Sequence, residues 1–173
     1  GEEPDTPVTP STGDNTQVTP PPGTGDNTQV APSSGTDTQA PVASIGTIAD
    51  ISGSKYKILT ASAAGGMVEY EGQTNADKKV QSITIPATVI IDNVPYEVTA
   101  IKSGAFNGYT KLKKVTIGSK VTTIGDKAFY KCTALKSVVI PAEVTEIGNS
   151  AFYGCTSLYT VYNLSNLNIE RIT

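Results

Sequence analysis

The amino-acid sequence predicts a β-rich solenoid of 23-residue coils, with an N-terminal β cap and a disordered N-terminal linker ahead of it. Three observations predict this. Phe106, Phe129 and Phe152 stand 23 residues apart, and the same step relates Leu112, Leu135 and Leu158, Ile101, Ile124 and Ile147, and Val98, Val121 and Val144. A fixed period of this length marks a solenoid, in which each repeat is one coil that cannot bury its apolar face alone. Within a period, β-branched residues alternate with polar ones, as short half-buried strands require. Finally, the composition changes abruptly after about residue 44, from Thr, Pro, Gly, Asp and Gln to a mixed apolar and charged sequence.

Residues 1–44 contain no Lys, Arg or aromatic residue, and TGDNTQV occurs at Thr12 and again at Thr24. Such a segment cannot bury enough apolar surface to order itself, so a disordered linker or spacer is expected. A Ca²⁺ site at Asp14 and Asn15 is not expected, because the turn lacks the dense oxygen ligands that ion needs. The segment holds six unopposed acidic residues, whereas the rest carries thirteen basic against ten acidic ones. The formal net charge of -3 is therefore an acidic linker joined to a mildly basic domain. No apolar run is long enough to span a membrane. With no signal peptide or sorting motif, the sequence reads as a segment of a longer protein.

Residues 45–97 are expected to form an N-terminal β cap. Tyr56–Leu59, Met67–Tyr70, Val80–Ile85 and Val89–Val98 alternate as strands do. Asp92 and Asn93 are turn residues between two of these runs, which predicts a hairpin. Ser82 to Pro86 mimics the strand of a true repeat, making the hairpin an insertion before Val98. A cap is needed because the first coil of a solenoid otherwise offers an open strand edge and a bare apolar face. Met67, the single methionine, is assigned to the core.

Residues 98–173 are expected to form about three coils. In the middle coil Lys136–Ile140 reads as a strand that Pro141 closes, because proline lacks the N–H that the ladder needs. Val144–Ile147 is a second extended piece, and Gly148 permits a turn. Ala151, Phe152 and Cys155 have the three- and four-residue spacing of one helical turn. Stacking places each position over its copy about 4.8 Å away, giving ladders of Phe, Leu and Ile. Leu167 and Ile169 either begin a further coil or close the last one.

These residues closely resemble the BspA-like leucine-rich repeat family, also called the Treponema pallidum type. The match is carried by Ala128, Phe129, Cys132 and Leu135 of an AF-x-x-C-x-x-L core, by Val138, Ile140 and Pro141 at the strand end, and by Val144, Thr145, Ile147 and Gly148 of the V-T-x-IG step. It covers Val98 to about Asn166, and Val80 to Glu97 more loosely. The first copy departs where Tyr109 replaces Cys and Gly118 replaces Pro. The resemblance implies a leucine-rich-repeat solenoid and a bacterial surface protein with varied partners.

The residue inventory argues against catalysis. There is no His and no Trp, so the usual general base and the commonest metal ligand are both missing. Cys132 and Cys155 occupy the same position of adjacent coils, which is not a zinc pattern. Their parallel Cβ directions would strain a disulfide, so buried free thiols are expected. Glu143 and Glu146 fall on solvated positions, whereas a glycosidase pair needs one acid in an apolar pocket. No catalytic residue, metal site or cofactor is assigned. Nucleic acid is not an expected partner, given the acidic linker and the lack of a motif.

Surface is what remains. On the strand face the residues between the buried Val and Ile point outward, giving one row of Ser82, Lys114, Ser137 and Thr160 and a second of Thr84, Thr116, Val139 and Tyr162. Val139, Tyr162 and the nearby Tyr159 are apolar or aromatic with no core to explain them, and tyrosine is a common binding hot spot. The candidate binding residues are therefore Lys114, Thr116, Ser137, Val139, Thr160, Tyr162 and Tyr159. Tyr130 and Tyr153 form another row, with Asn107 in the same place of the first coil, and either row serves contact or mere ladder packing. Lys111, Lys113, Lys114 and Lys136 form a solvated edge or a patch for anionic glycans. Asn163-Leu164-Ser165 matches an N-glycosylation acceptor. The expected function is a non-enzymatic, monomeric binding module on the bacterial cell surface or outside the cell. Its expected partner is a host or matrix protein, or a glycan; the alternative is a carbohydrate-binding or spacer domain of a larger secreted protein.

Overall fold

The computed structural model describes residues 43–75 and 77–169. The linker expected over residues 1–44 lies outside them except for Ala43 and Ser44. Eleven strands follow one another among the described residues: β1 (Ile48–Ile51), β2 (Ser54–Ser62), β3 (Gly65–Gln73), β4 (Ser82–Ile85), β5 (Thr88–Ile91), β6 (Val94–Ile101), β7 (Lys114–Ile117), β8 (Thr123–Ile124), β9 (Ser137–Ile140), β10 (Glu146–Ile147) and β11 (Thr160–Asn163). They form two sheets. One runs β1-β2-β3-β6-β8-β10 with β5 also on β6, and the other runs β11-β9-β7-β4.

The N-terminal part is an antiparallel ribbon built on tight turns. β1 pairs with β2 across Ser52-Gly53, and β5 pairs with β6 across Asp92-Asn93. All four turn residues have positive φ, between 50° and 79°. That is the backbone of the two-residue hairpin turn whose twist matches the flanking strands. The expected hairpin at Asp92-Asn93 is present, while β1 had no counterpart in the sequence reading. β6 then joins ribbon to coils: it is antiparallel to β5, parallel to β3 through Val98↔Val68, and parallel to β8 through Ile101↔Ile124. β4 pairs with β7 in parallel, Ile83 beside Val115 and Ile85 beside Ile117, so it lies in the sheet of the coils.

The core is the set of ladders that the period implies. Phe106 stacks on Phe129 at 5.0 Å between ring centroids and Phe129 on Phe152 at 5.1 Å, with interplanar angles of 7° and 10°. The stack continues into the ribbon, where Tyr70 of β3 lies 5.3 Å from Phe106. Tyr56 then meets Tyr70 edge-on at 5.5 Å. Leu112, Leu135, Ile101 and Ile124 are likewise fully buried. Tyr109, which stands where later coils have Cys, is buried edge-on against Phe106.

Two expectations are corrected. Met67 is exposed rather than buried, because Val68 and Tyr70 take the inward places of β3 and the period of two turns Met67 outward. The stretch around Ala151, Phe152 and Cys155 is not a helical turn but a run of tight turns. Its i→i−3 bonds, such as Cys155 N–H to Phe152 C=O, alternate with bonds to the next coil, such as Phe129 N–H to Ala151 C=O. Gly148 opens the expected turn, with Ala151 N–H bonded to its carbonyl at 3.3 Å, and it also permits close approach of two coils, since a Cβ there would lie 2.4 Å from Asp126 N. Gly118 does the same where other coils have Pro, since a Cβ would lie 2.5 Å from the Pro86 carbonyl carbon.

Candidate functional site

The sheet β11-β9-β7-β4 places the candidate residues side by side. Ser82 pairs with Lys114, Lys114 with Ser137, and Ser137 with Thr160. Thr84 pairs with Thr116, and Tyr162 with Val139. Two residues on from the Lys114–Ser137 pair, Thr116 comes level with Val139. β4, β7 and β9 alternate outward and buried residues because a strand turns successive side chains to opposite faces. Ile83, Val115 and Val138 therefore point into the core while Lys114, Thr116 and Val139 face out.

Exposure along this face is uneven. Tyr159 is 77% exposed, Tyr162 59% and Val139 43%, whereas Ser137 and Thr160 are half-buried. A shallow groove between β7 and β9, lined by Lys114, Thr116, Ser137 and Val139, runs into this apolar end.

A third row borders these two. Lys113 N–H bonds to Gln81 C=O, Lys136 N–H to Lys113 C=O, and Tyr159 N–H to Lys136 C=O. Lys113, Lys136 and Tyr159 are thus one column at the 23-residue step. The sequence reading had the lysines as a patch without their alignment on Tyr159, although the common step was there to find. Lys111, Lys113, Lys114 and Lys136 are all exposed, and among the described residues none is ion-paired. Lys113 Nζ donates to Gln81 Oε1 at 2.8 Å. The face is basic on β7 and aromatic on β11.

The remaining candidates separate clearly from it. Tyr130 and Tyr153 stack at 5.4 Å and 18° on the turn side of the coils. Cys132 and Cys155 are buried free thiols that donate to the carbonyls of Phe106 and Phe129, each at 3.1 Å. The adjoining Cys155 thiol and burial push Cys132 well above the usual thiol range. Glu143 and Glu146 are exposed and apart, each on the rim of an open cleft, Glu146 beside Ile147 and Leu167 and Glu143 beside Met67 and Lys120. Asn163 Nδ2 donates to Leu167 C=O at 2.8 Å, and Asn163 Oδ1 accepts from Ser165, so the acceptor motif is folded into its own turn. Leu167 is half-buried and packs against the end of the core.

Comparison with known proteins fits this geometry. A family profile described as BspA type leucine rich repeat region matches residues 75–172, in six copies. The chain belongs to this family. Among solved structures, this leucine-rich repeat chain resembles the pneumococcal vaccine antigen PcpA, with a TM-score of 0.53 and 22% identity over 73% of this chain. The likeness is one of fold, and the chain spans only 40% of the length of the PcpA structure. A leucine-rich repeat protein of Bacteroides capillosus is 21% identical over 67% of this chain and 97% of its own, at a TM-score of 0.46. A leucine-rich cell surface protein of Faecalibacterium prausnitzii is 17% identical over 69% of this chain and 55% of its own, at 0.30. No curated protein matches the sequence.

Proposed function

We propose that this leucine-rich repeat chain is a non-enzymatic binding module, displayed on a bacterial cell surface or secreted, that holds a host or matrix protein on its strand face. The observation that carries the reading is the register of that face. Val139, Tyr159 and Tyr162 are exposed together, beside an aligned column of lysines with no carboxylate partner among the described residues. Leaving such aromatics in water has no folding advantage, whereas a rigid Tyr loses little rotamer freedom on docking and anchors interfaces well. The lysines add steering toward an acidic partner and make association salt-dependent. Membership of a repeat family whose members are surface proteins supports the location.

The test is a biosensor screen of the full chain, as a monomer, against matrix proteins, with polysaccharides as the competing class. Tyr162→Ala is expected to weaken binding of the captured protein about tenfold or more, with the melting temperature unchanged. Binding that survives Tyr162→Ala and Lys136→Glu together would place the site elsewhere. Silence across the protein panel would favour a spacer role.

A further inference from the structure

The second aromatic row carries an inference that does not depend on the strand face. In the turn segment of each coil two positions take left-handed backbone. The first is filled by Gly104, Lys127 and Ser150, and the second by Gly108, Lys131 and Gly154, all with φ between 54° and 76°. Glycine suits such a position because a Cβ crowds the backbone there. The middle coil nevertheless places lysine at both, and both lysines belong to one aromatic residue. Lys127 Nζ lies 5.9 Å and Lys131 Nζ 5.3 Å from the centre of the Tyr130 ring. Strain accepted at two positions around a single surface ring points to a role for that ring.

The backbone beneath this arrangement is held in place. Lys127 N–H bonds to Asn149 C=O and Lys131 N–H to Tyr153 C=O, so the inter-coil ladder fixes the main chain at both lysines. The Lys131 stem lies close to Gly154, where a Cβ would come within 3.1 Å of its Cγ. Tyr130 is half-buried and stacked on Tyr153, which is 54% exposed. Asp126 precedes Lys127, but its Oδ1 is taken by the Asn149 amide at 2.6 Å. Neither lysine has a carboxylate partner among the described residues.

We propose that Tyr130, Tyr153, Lys127 and Lys131 form a binding site for an acidic saccharide, a polymer carrying hexuronate residues. The apolar C–H face of a pyranose packs on an exposed tyrosine, and its carboxylate meets the two ammonium groups. Both features enter the recognition: a neutral sugar would leave the two ammonium charges unmatched, and a simple anion would leave the exposed Tyr153 ring uncovered. Single-stranded nucleic acid fits less well, because it uses separate aromatic platforms for successive bases along a groove. Here the two rings lie on one another and offer a single platform.

The experiment is calorimetric titration of the full chain with a galacturonic acid tetramer at low salt, beside the same tetramer with its carboxyl groups reduced. Saturable binding of the acidic form alone is expected, weakening as salt rises. Lys127→Gly with Lys131→Gly restores the residue its backbone favours, so binding should fall about tenfold or more while the melting temperature does not fall. Tyr153→Ala, at an exposed ring, should lose binding likewise, and Tyr162→Ala on the strand face should leave it unchanged. Equal binding of the reduced tetramer, retention in the double lysine variant, no binding of the acidic tetramer, or preference for a single-stranded oligonucleotide would each overturn the proposal.

Discussion

Phe129 is the most enclosed rung of the aromatic stack, with a Phe above and below it and no exposure. Truncating it leaves a void that the stacked neighbours cannot close without breaking their own contacts. Phe129→Ala is expected to cost about 3–5 kcal/mol, read as a shift of the urea midpoint. A midpoint within error of the parent would mean that the ladder does not carry the core. The buried titratable groups make a second expectation, on pH. Burial raises Tyr56 and Tyr70 above 10.0, while the mutual hydrogen bond of the two thiols shifts Cys132 up and Cys155 down, in opposition. A raised value means that the native state keeps its proton more tightly than the unfolded chain does. The tyrosine contribution is therefore full below pH 10 and is lost as pH rises past it, by at most about 1.4 kcal/mol per pH unit for each group. Melting temperatures should be flat from pH 7 to 9 and fall from pH 10 to 11. The same burial should keep Cys132 from reacting with a thiol reagent at pH 8 until denaturant is added.

At the level of the element, coil spacing is set by glycines that touch backbone rather than by turns. A Cβ at Gly125 would lie 2.5 Å from Ser103 N and 2.8 Å from Ile101 O, both in the preceding coil. Backbone held in a hydrogen-bonded ladder cannot retreat as a side chain can. Gly125→Ala is expected to lower stability by about 1–3 kcal/mol or to separate the coils, visible as a lower urea midpoint and faster amide exchange at β8. This role was hidden in the sequence, where Gly148 reads as a turn residue, because close approach and left-handed backbone both select glycine. The turn segment misled in a similar way. Phe129 and Cys132 are three apart in a helix and in a tight turn alike, and only the inter-coil bonds of Ala128, Ala151 and Tyr153 decide between them. The strands of the coils were legible because 23-residue periodicity repeats the same alternation three times. β1 and the outward turn of Met67 were not, since the ribbon occurs once and nothing in the chain repeats it.

For the molecule as a whole, the period made both the core and the outward columns of the strand face readable, since the residue between two buried ones must face out. The lysines around Tyr130 escaped notice because the signal there is which residue replaces glycine, and backbone angle is not written in hydrophobicity. The inter-coil strand pairs β4–β7, β7–β9 and β9–β11 are parallel and lie across the direction of stacking, as does the turn-to-turn ladder. Each coil thus meets only its neighbours, and the contacts between coils 23 residues apart are broken in series. Were such a chain held at one end and pulled at the other, the fold would act as a shock absorber. Tension along the stack peels one coil at a time, opening a few hydrogen bonds at once rather than shearing a whole sheet. Each coil released would pay out about 75 Å of chain, by the reach of an extended backbone. An optical trap should record a staircase of such steps at low force and re-coiling on relaxation. A single abrupt rupture would show that the coils bear load together.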